Sequence, residues 1–582
     1  MPDILQLHGY APAVSRKITA LASERFVQRL FREDASLWTT TPAVRRLISN
    51  RLGWLRSPER MLREVPRLDA FAREAREEGF RRVVLLGMGG SSLCVEVFRR
   101  LFPSPAGYPD LVVLDGTVPE TVQRVEKHLD LPRTLFIVSS KSGGTGETAA
   151  LQAYFWAKVR RLQGRTASRQ FVAITDPGTP LSEEAAARGY RATFHNPPDI
   201  GGRYSALSYF GLVPAALAGV DIAEMLRRAL GMLERCGPDA PAADNPGLAL
   251  GVALGTLARR GRDKMVLMVD RGLTSLELWI EQLVAESLGK EGRGIVPVAL
   301  PRSPGAWRAA LKGRDRIVIG IILQDSRSGR DIGRRVAGGG GPGAVLSLRD
   351  RLDVGAAMVQ WEFATAVAGA VIGVNPFDEP NVAESKKSTE AALEEFDATG
   401  RLGQEPAAVV EGRARVFLAG LRSLPGRRPT VAGAVRTLVA AARPGDYFAL
   451  LAYADPENRA VGALLEKTRQ ALLSRTGLAV TVGYGPRYLH STGQLHKGGP
   501  NTGLFMMIVP DDRAVLPIPG KAYDFETFKQ AQALGDTRVL KRRGRRVLML
   551  RVEDLASPAL RKLGSAAGGG RPKRRVAGRR RR

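Results

Sequence analysis

Short apolar runs alternate with longer stretches of helical spacing along most of this chain. Between residues 80 and 235 the apolar runs lie at 81–86, 111–114, 135–138 and 171–174. Buried runs of this kind, separated by helical stretches, are typical of strands in a parallel sheet. The pattern predicts a doubly wound α/β unit in this region.

The same alternation returns twice further along the chain. The second set has predicted helices at 276–288 and 356–371, and predicted strands at 265–269, 295–299 and 316–323. The third set has predicted strands at 447–452, 479–483, 504–509 and 547–552. We therefore expect a second α/β unit resembling the first, followed by a C-terminal α/β unit.

Two breaks in the pattern set the expected boundaries. Residues 238–246 are rich in Pro, Ala and Asp, and residues 394–412 are charged and interrupted by Gly. The predicted organisation is an N-terminal helical arm over 1–78, α/β units over 79–237, 247–400 and 413–560, and a disordered basic tail over 565–582.

Composition narrows the class of protein. The net charge is +29, but the excess is dispersed apart from the tail, which carries no aromatic residue for base stacking, so we expect no specific nucleic-acid partner. Cys94 and Cys236 are too few for a disulfide framework or a metal cluster. The N-terminus has no apolar leader, and the longest apolar run, 363–374, is too short to span a bilayer. These features favour a cytoplasmic protein without a membrane partner.

Two loops that follow predicted strands are rich in Gly and hydroxyl residues. The first is Gly-Met-Gly-Gly-Ser-Ser-Leu at 87–93, and the second is Ser-Ser-Lys-Ser-Gly-Gly-Thr-Gly-Glu-Thr at 139–148. Backbone N–H groups and hydroxyls at the start of a helix bind phosphate well. The pair predicts a cradle for a small phosphorylated ligand.

Neither loop matches a common nucleotide-binding pattern. The chain has no Gly-x4-Gly-Lys-Ser/Thr motif, and Ser92 stands where a dinucleotide fingerprint requires its last Gly. Asp115 follows the next strand and could serve as the acidic residue of such a fingerprint, so a dinucleotide site remains an alternative at this point.

Acid–base candidates are few. Of the five histidines, His490 and His496 lie in a polar run after the strand predicted at 479–483, where functional groups gather in α/β folds. Glu286 lies four residues after Gln282 on one helical face, and burial would raise its pKa and make it a usable base. The alternative is an exposed Glu286 paired with Lys290.

Two cations complete the candidates. Arg203 lies between Gly and hydroxyl residues that would let it reach an oxyanion, although a surface turn would look the same. Lys386 follows a Pro-bounded loop into a predicted helix, where a solvated Lys is the usual outcome.

These pieces together resemble the glucose-6-phosphate isomerase family. The family patterns are present as Gly-Gly-Arg-Tyr-Ser at 201–205, Glu-Ser-Leu-Gly-Lys at 286–290 and Phe-Asp-x-x-x-Val-x-x-x-Lys at 377–386, and the paired loops resemble its sugar isomerase (SIS) phosphate loops. The segment at 485–500 resembles the isomerase half of bacterial transaldolase–glucose-6-phosphate isomerase fusion proteins. No transaldolase barrel precedes it, so we expect that half alone. The resemblance implies two SIS-type, flavodoxin-like or Rossmann-like units with the helical arm and a C-terminal α/β extension.

The resemblance also implies an activity. It is the interconversion of glucose 6-phosphate and fructose 6-phosphate through ring opening and a cis-enediol, with no metal and no redox cofactor. Glu286 would be the base, Arg203 would stabilise the enediolate oxygen, His490 would open the ring with help from Lys386, and Gln282 would hold the substrate. The substrate, mostly its phosphate, would be contacted by Gly90, Ser91, Ser140, Lys141, Ser142, Thr145 and Thr148.

One departure from the family leaves alternatives open. In the usual isomerase the catalytic His precedes the Lys motif and comes from a neighbouring subunit, whereas His490 follows Lys386 here. His496 is a rival for the same role, and a homodimer stays open. A non-catalytic sugar-phosphate regulator and an isomerase of another phosphorylated sugar are the alternative functions.

Overall fold

The computed structural model describes residues 4–301, 304–403, 405–421, 424, 428–512 and 514–569. They form three β-sheets and the helices that connect their strands. Most of the predicted basic tail, from residue 570 onward, lies outside the described residues.

The N-terminal arm contributes one strand as well as helices. Its elements are β1 (Ile4–Gln6), α1 (Ala11–Ser23), α2 (Phe26–Phe31), α3 (Pro42–Ser49) and α4 (Ser57–Glu77). Helix α4 begins at the pair Ser57-Pro58, because Pro fits the first turn, where its missing N–H has no helical partner to lose. Strand β1 pairs antiparallel with 343–348, so the arm predicted to be helical also completes the second sheet. A strand of three residues is too short for a period to show.

The first unit has a parallel, doubly wound sheet. Its strands are β2 (Arg82–Gly87), β3 (Asp110–Leu114), β4 (Thr134–Ser139), β5 (Phe171–Thr175) and β6 (Ala192–His195), and its helices are α5 (Leu93–Leu101), α6 (Pro119–Lys127), α7 (Gly146–Gln163), α8 (Pro180–Arg188), α9 (Tyr209–Leu217) and α10 (Ile222–Arg235). The order β3-β2-β4-β5-β6 is that of flavodoxin-like sheets. The central strands match the prediction because they are buried on both faces, whereas the edge strand β6 has a mixed pattern and was not predicted.

The second sheet repeats that order. Its strands are β7 (Lys264–Val269), β8 (Val296–Ala299), β9 (Arg316–Leu323) and β10 (Gly343–Leu348), and its helices are α11 (Pro246–Arg259), α12 (Leu276–Leu288), α13 (Pro304–Leu311), α14 (Arg327–Gly338), α15 (Val354–Ile372) and α16 (Pro380–Thr399). The order is β8-β7-β9-β10, with β1 added antiparallel at the edge. The prediction of two α/β units of the same kind is confirmed by these two sheets.

Glycines of α11 set how closely α15 packs. A Cβ added at Gly251 or Gly255 would lie 2.7 Å from the Cβ of Val367 or Val371, respectively. The helix axes can approach this closely because the glycines, four residues apart, lie on one face. The span Arg351–Ile372 is the one described helical span long and apolar enough to cross a membrane, and 89% of its most apolar window is buried inside the protein.

The C-terminal unit has a third sheet that begins in the same order. Its strands are β11 (Val409–Glu411), β12 (Ala414–Ala419), β13 (Tyr447–Ala452), β14 (Ala479–Tyr484), β15 (Gly503–Pro510) and β16 (Arg546–Val552), and its helices are α17 (Val431–Ala440), α18 (Arg459–Thr476), α19 (Gly493–Gly498), α20 (Phe525–Arg542) and α21 (Pro558–Gly568). Strands β14-β13-β15-β16 are parallel, and the hairpin β11-β12 extends the sheet antiparallel. Strand β11 begins at Val409, inside the stretch interpreted as a boundary at 394–412.

Candidate active site

The two Gly- and hydroxyl-rich loops lie side by side at the point where the first sheet reverses its strand order. Strands β2 and β4 are neighbours, with Gly87 paired to Ser139, and the chain leaves them for opposite halves of the sheet. Ligands of open α/β sheets bind in the crevice at this switch point. The predicted cradle is therefore at the position that the topology favours.

The first loop is confined by two other segments. Gly89 has a φ of +56°, and a Cβ there would lie 2.9 Å from the Cβ of His490. A Cβ on Gly90 would lie 2.2 Å from the carbonyl oxygen of Gly202, next to Arg203. Only glycine fits these positions. The first loop thus touches both the turn that carries Arg203 and the turn that carries His490.

The second loop forms the start of α7. The hydroxyls of Ser140 and Thr145 lie 3.1 Å apart, and the hydroxyl of Ser142 accepts from the backbone N–H of Gly144 at 3.4 Å. The hydroxyl of Thr148 is buried and has no hydrogen-bond partner among the described residues. Such a group is costly to bury unpaired, and a ligand would satisfy it.

Two further members of the predicted cradle are already engaged. Ser91 is buried, and its carbonyl oxygen accepts from the hydroxyl of Ser139 at 3.1 Å. The ammonium of Lys141 forms an ion pair with Asp176 and donates to the carbonyl of Pro198 at 3.1 Å. Burial lowers the pKa of Lys141 although Asp176 opposes that change.

Glu286 lies buried on α12 and faces two of the predicted residues. Its Oε1 is 3.3 Å from Nη1 of Arg203, and its Oε2 accepts from Nε2 of Gln282 at 3.1 Å. Burial raises the pKa of this carboxyl, Arg203 lowers it and Glu379 raises it further, so that the pKa stays above its usual value. The alternative pairing with Lys290 is wrong, because that ammonium lies 2.8 Å from Asp378 instead.

Arg203 is held by several acceptors at once. Its Nε donates to the hydroxyl of Ser287 at 2.7 Å, and its Nη2 donates to the carbonyls of Pro376 and Asp378 at 2.8 and 2.9 Å. Its Nη1 also lies 2.9 Å from Glu379. Burial would lower the pKa of Arg203, but its two carboxylate neighbours raise it. The structure therefore provides a fixed, charged guanidinium rather than the surface turn of the alternative interpretation.

His490 lies at the end of a short 3₁₀ helix, Arg487–His490, that follows β14. Its carbonyl accepts from Nε2 of Gln282 at 2.9 Å, and its own Nε2 lies 2.8 Å from Glu147. Burial would lower the pKa of His490, but the charge and hydrogen bond of Glu147 raise it. The chain thus brings the histidine to Glu286 through their shared neighbour Gln282.

Glu147 is a functional candidate that sequence reasoning missed. It lies in the first turn of α7, is buried, and also accepts from Nε2 of Gln532 at 2.7 Å. Burial raises the pKa of Glu147, but the charge and hydrogen bond of His490, together with a backbone N–H and Gln532, hold it below its usual value. The available signal was its place beside Thr148 at the end of the second loop.

His496 lies in different surroundings. It is 2% exposed and packs against the rings of Tyr447, Tyr488 and Phe505 in the core of the C-terminal unit. Burial lowers the pKa of His496 to about 3, so this imidazole is neutral near pH 7.

Lys386 reaches the second loop from α16. Its Nζ lies 3.3 Å from the carbonyl of Gly144 and 3.9 Å from Glu390, and its side chain is 58% exposed. The predicted lysine therefore joins the cluster at the phosphate loop. On the other side of the first loop, Asp115 binds Arg487 at 2.7 Å, so the carboxylate of the dinucleotide alternative is used within the protein.

Within the part of the chain that the structure describes, no group of three or more His, Cys, Asp and Glu side chains could hold a metal ion. The assembled cluster consists of two phosphate-type loops, a buried carboxylate beside a guanidinium, and a histidine paired with a second carboxylate. Together these groups can bind a phosphate and move protons at a carbon skeleton.

Comparisons with known proteins identify the family of this chain. The family model for phosphoglucose isomerase matches residues 73–295, a range that holds both loops, Arg203 and Glu286 but not Lys386 or His490. The glucose-6-phosphate isomerase of Rubrobacter xylanophilus is 30% identical over 400 residues, which are 60% of this chain and 91% of that protein. The glucose-6-phosphate isomerase of Thermus thermophilus is 36% identical over 274 residues, 44% of this chain and 63% of that protein.

Solved structures extend the agreement to the fold. A hypothetical protein of Thermus thermophilus superposes with a TM-score of 0.57 at 27% identity, covering 67% of this chain and all of that one. The glucose-6-phosphate isomerase of Chlamydia trachomatis shares the fold, with a TM-score of 0.50 at 20% identity over 58% of this chain and 74% of that one. The resemblance drawn from the sequence motifs is confirmed, and the chain belongs to the glucose-6-phosphate isomerase family.

Proposed function

We propose that this chain interconverts D-glucose 6-phosphate and D-fructose 6-phosphate, as an aldose–ketose isomerase of glycolysis and gluconeogenesis. The observation that carries the proposal is the position of Glu286. This buried carboxylate lies 3.3 Å from Arg203 and is joined through Gln282 to the turn that carries His490. Such a set can open a sugar ring and move one proton between neighbouring carbons.

The two loops hold the phosphate of the substrate. The N-terminus of α7 gives the anion backbone N–H groups and a favourable dipole, and the unpaired hydroxyl of Thr148 gives it a further donor. The other contacts are assigned to Gly90, Ser91, Ser140, Lys141, Ser142 and Thr145. Lys141 would contribute through its backbone, because Asp176 already pairs with its ammonium.

His490 opens the ring as a general acid. Glu147 raises the pKa of His490, which keeps the imidazole protonated to a higher pH than an isolated histidine. It can then donate a proton to the ring oxygen as the bond to C1 breaks, while the hydroxyl on C1 releases its proton to water and becomes the carbonyl of the open chain. Lys386, at the carbonyl of Gly144, adds positive charge near the bound sugar phosphate and assists this step.

Glu286 then moves the proton that interconverts aldose and ketose. Its raised pKa makes it a competent base near neutral pH, and Arg203 stabilises the oxygen on which negative charge develops in the cis-enediol. One carboxylate can take the proton from C2 and return it to C1 on the same face. The Oε1 of Gln282 is buried without a hydrogen-bond partner in the described residues, so it can accept from a hydroxyl of the enediol.

A single chain supplies every residue of this proposed site, so we propose that a homodimer is not required for turnover. Cys94 and Cys236 are both buried and neither is in a disulfide, which suits a reducing cytoplasm. The ordered acid–base set favours turnover over the alternative of a regulator that only binds a sugar phosphate.

The test is an assay of the purified chain with glucose 6-phosphate in deuterated water, followed by NMR. Fructose 6-phosphate should form, and deuterium should enter the carbon that receives the proton. Mannose 6-phosphate serves as the parallel substrate for the alternative sugar. A folded chain that binds glucose 6-phosphate without turnover or exchange would contradict the proposal.

A further inference from the structure

A cavity of about 1150 Å³ lies between the second sheet and the C-terminal unit, on another face of α12 from Glu286. Its walls include the ends of β7 and β8, the start of α14 and parts of α18 and β14. None of the residues assigned to the isomerase site lines it. A cavity of this size accommodates a small organic ligand.

The cavity occupies the switch point of the second sheet. Strands β7 and β9 are neighbours there, and β8 and β10 lie on opposite sides of them. The same position in the first sheet, between β2 and β4, holds the paired phosphate-type loops. In open α/β sheets this crevice is the general place for ligands.

The loops at this second switch point carry groups that suit an anion. Arg271 follows β7 and Arg327 begins α14; both residues are exposed, both line the cavity, and neither forms an ion pair with a described residue. Neighbouring hydroxyls come from Thr274, Ser275, Ser326 and Ser328. Guanidinium groups bind phosphate through charge-assisted hydrogen bonds, and the first turn of α14 adds its N–H groups.

The two loops are fixed to each other. The hydroxyl of Ser326 donates to Oδ2 of Asp270 at 2.5 Å, and Oδ1 of Asp270 accepts from the N–H of Gly272 at 3.1 Å. Gly329 allows the approach, since a Cβ there would lie 2.8 Å from the carbonyl of Leu323. Contacts within the protein therefore hold the two loops that carry Arg271 and Arg327 in place.

Four acidic side chains line the cavity, Glu277, Glu281, Asp331 and Glu466, and the last three leave the charge of the arginines uncancelled. Burial and the neighbouring Glu277 raise the pKa of Glu281 to about 8, so this carboxyl is mostly neutral near pH 7. Asp331 is paired with Arg335 at 2.7 Å, and Glu466 forms an ion pair with Arg469. The wall also has an apolar part, which includes Trp307, Leu278, Ile332 and Leu465, and further basic residues, Arg100, Arg334 and Arg487.

We propose that this cavity is a second binding site, for a phosphorylated small molecule whose phosphate is held by Arg271, Arg327 and the start of α14. The carbon body of the ligand would lie against the apolar wall at Trp307. The inference does not depend on the isomerase activity, because no residue is shared between the two sites.

Binding of inorganic phosphate counts the sites directly. Equilibrium dialysis of radiolabelled phosphate should show one more phosphate per wild-type chain than per chain of the double variant Arg271→Ala/Arg327→Ala. Loss of either guanidinium should weaken this site about tenfold. The matched control is Arg330→Ala, an exposed arginine of α14 that does not line the cavity.

The number of bound phosphates is compared between the wild type and its variants and does not require isomerase activity. Failure of this second site can therefore be distinguished from failure of the isomerase proposal. Isomerase turnover of the double variant should equal that of the wild type, which also shows that the variant is folded. If that turnover is absent from every protein, circular dichroism replaces it as the check on folding. An equal phosphate count in the wild type, the double variant and Arg330→Ala would overturn the second site.

Discussion

The first and third sheets place four parallel strands in the same order, yet they serve the candidate site differently. The first sheet contributes the loops after its first and third strands, which hold Gly90 and Thr145. The third sheet contributes the turn after β14, the second of its parallel strands, and this turn holds His490. Shared topology therefore provides places for a site, and the residues at those places decide which are used.

The unused loop of the third sheet shows the difference. After β13 the chain carries Asp455 where the first sheet has Gly and hydroxyl residues, and this carboxylate binds Arg124 of the first unit at 2.6 Å. This carboxylate is committed to the ion pair, and the segment Ala454-Asp455-Pro456-Glu457 has no Gly- or hydroxyl-rich turn to receive a phosphate. The same contact helps to dock the third sheet onto the first, together with Arg487–Asp115 at 2.7 Å. The first switch point carries the proposed phosphate loops, whereas the loop after β13 contacts the neighbouring unit.

The largest expected effect lies at Glu286, where neither of these two sheets contributes the group. Glu286→Gln should lower kcat by about 10³-fold, within the range for a general base, because the amide cannot take the C2 proton. Steady-state kinetics would measure it. Glu281→Gln, on another face of the same helix, is the matched control and should keep kcat. Equal losses of kcat in both variants would show that the effect comes from disturbing helix α12 and not from loss of the Glu286 carboxylate.

His490→Gln should follow, with kcat lowered about 10²-fold on the cyclic sugar because ring opening loses its acid. The contrasting variant is His496→Gln, in the core of the same unit. We expect it to lower the melting temperature while kcat stays within about twofold, since a neutral, enclosed imidazole reaches no substrate. The reverse pattern would move the role of acid to His496.

The cradle of the first sheet should act mainly on binding. Ser140→Ala combined with Thr145→Ala should raise KM about tenfold, as expected from the loss of hydrogen bonds to a charged phosphate. Ser182→Ala, in the same unit but bonded to His195, should leave KM unchanged. A KM unaffected by the double substitution would show that these hydroxyls do not bind the phosphate of the substrate.

The smallest expected effect is a shift in the pH dependence of kcat/KM. The charge of Glu147 holds the pKa of His490 up, so activity that needs protonated His490 is lost as pH rises through that value. Glu147→Gln lowers this pKa, and the alkaline limb of kcat/KM should therefore move to lower pH. The Ser182→Ala protein provides the reference profile. An alkaline limb that stays in place would separate Glu147 from the ring-opening acid.

The strands that the sequence predicted well are those buried on both faces. Strands such as β4 and β15 are continuous apolar runs. The edge strands β6 and β11 and the inner strand β12 have mixed burial and were not predicted, and the mostly buried β10 was missed as well. A strand such as β6 shows little apolar signal because its side chains are only partly buried.

The site residues that belong to short sequence motifs could be predicted from the sequence. The Gly-rich loops and the surroundings of Arg203 and Glu286 could be identified, since these residues keep fixed spacings from their neighbours. Glu147 could not, because a glutamate in the first turn of a helix is common for electrostatic reasons alone. Its burial against His490 depends on docking of the first unit onto the C-terminal unit, and the two residues lie 343 positions apart in sequence.

The central claim is that one chain assembles the whole site, with His490 delivered by the third sheet to Glu286. Mixing the Glu286→Gln and His490→Ala proteins, with refolding together to permit exchange of subunits, tests it directly. The account predicts no activity beyond the sum of the two separate variants. Recovery of a substantial part of wild-type activity would show that His490 acts on a neighbouring chain and would contradict the claim.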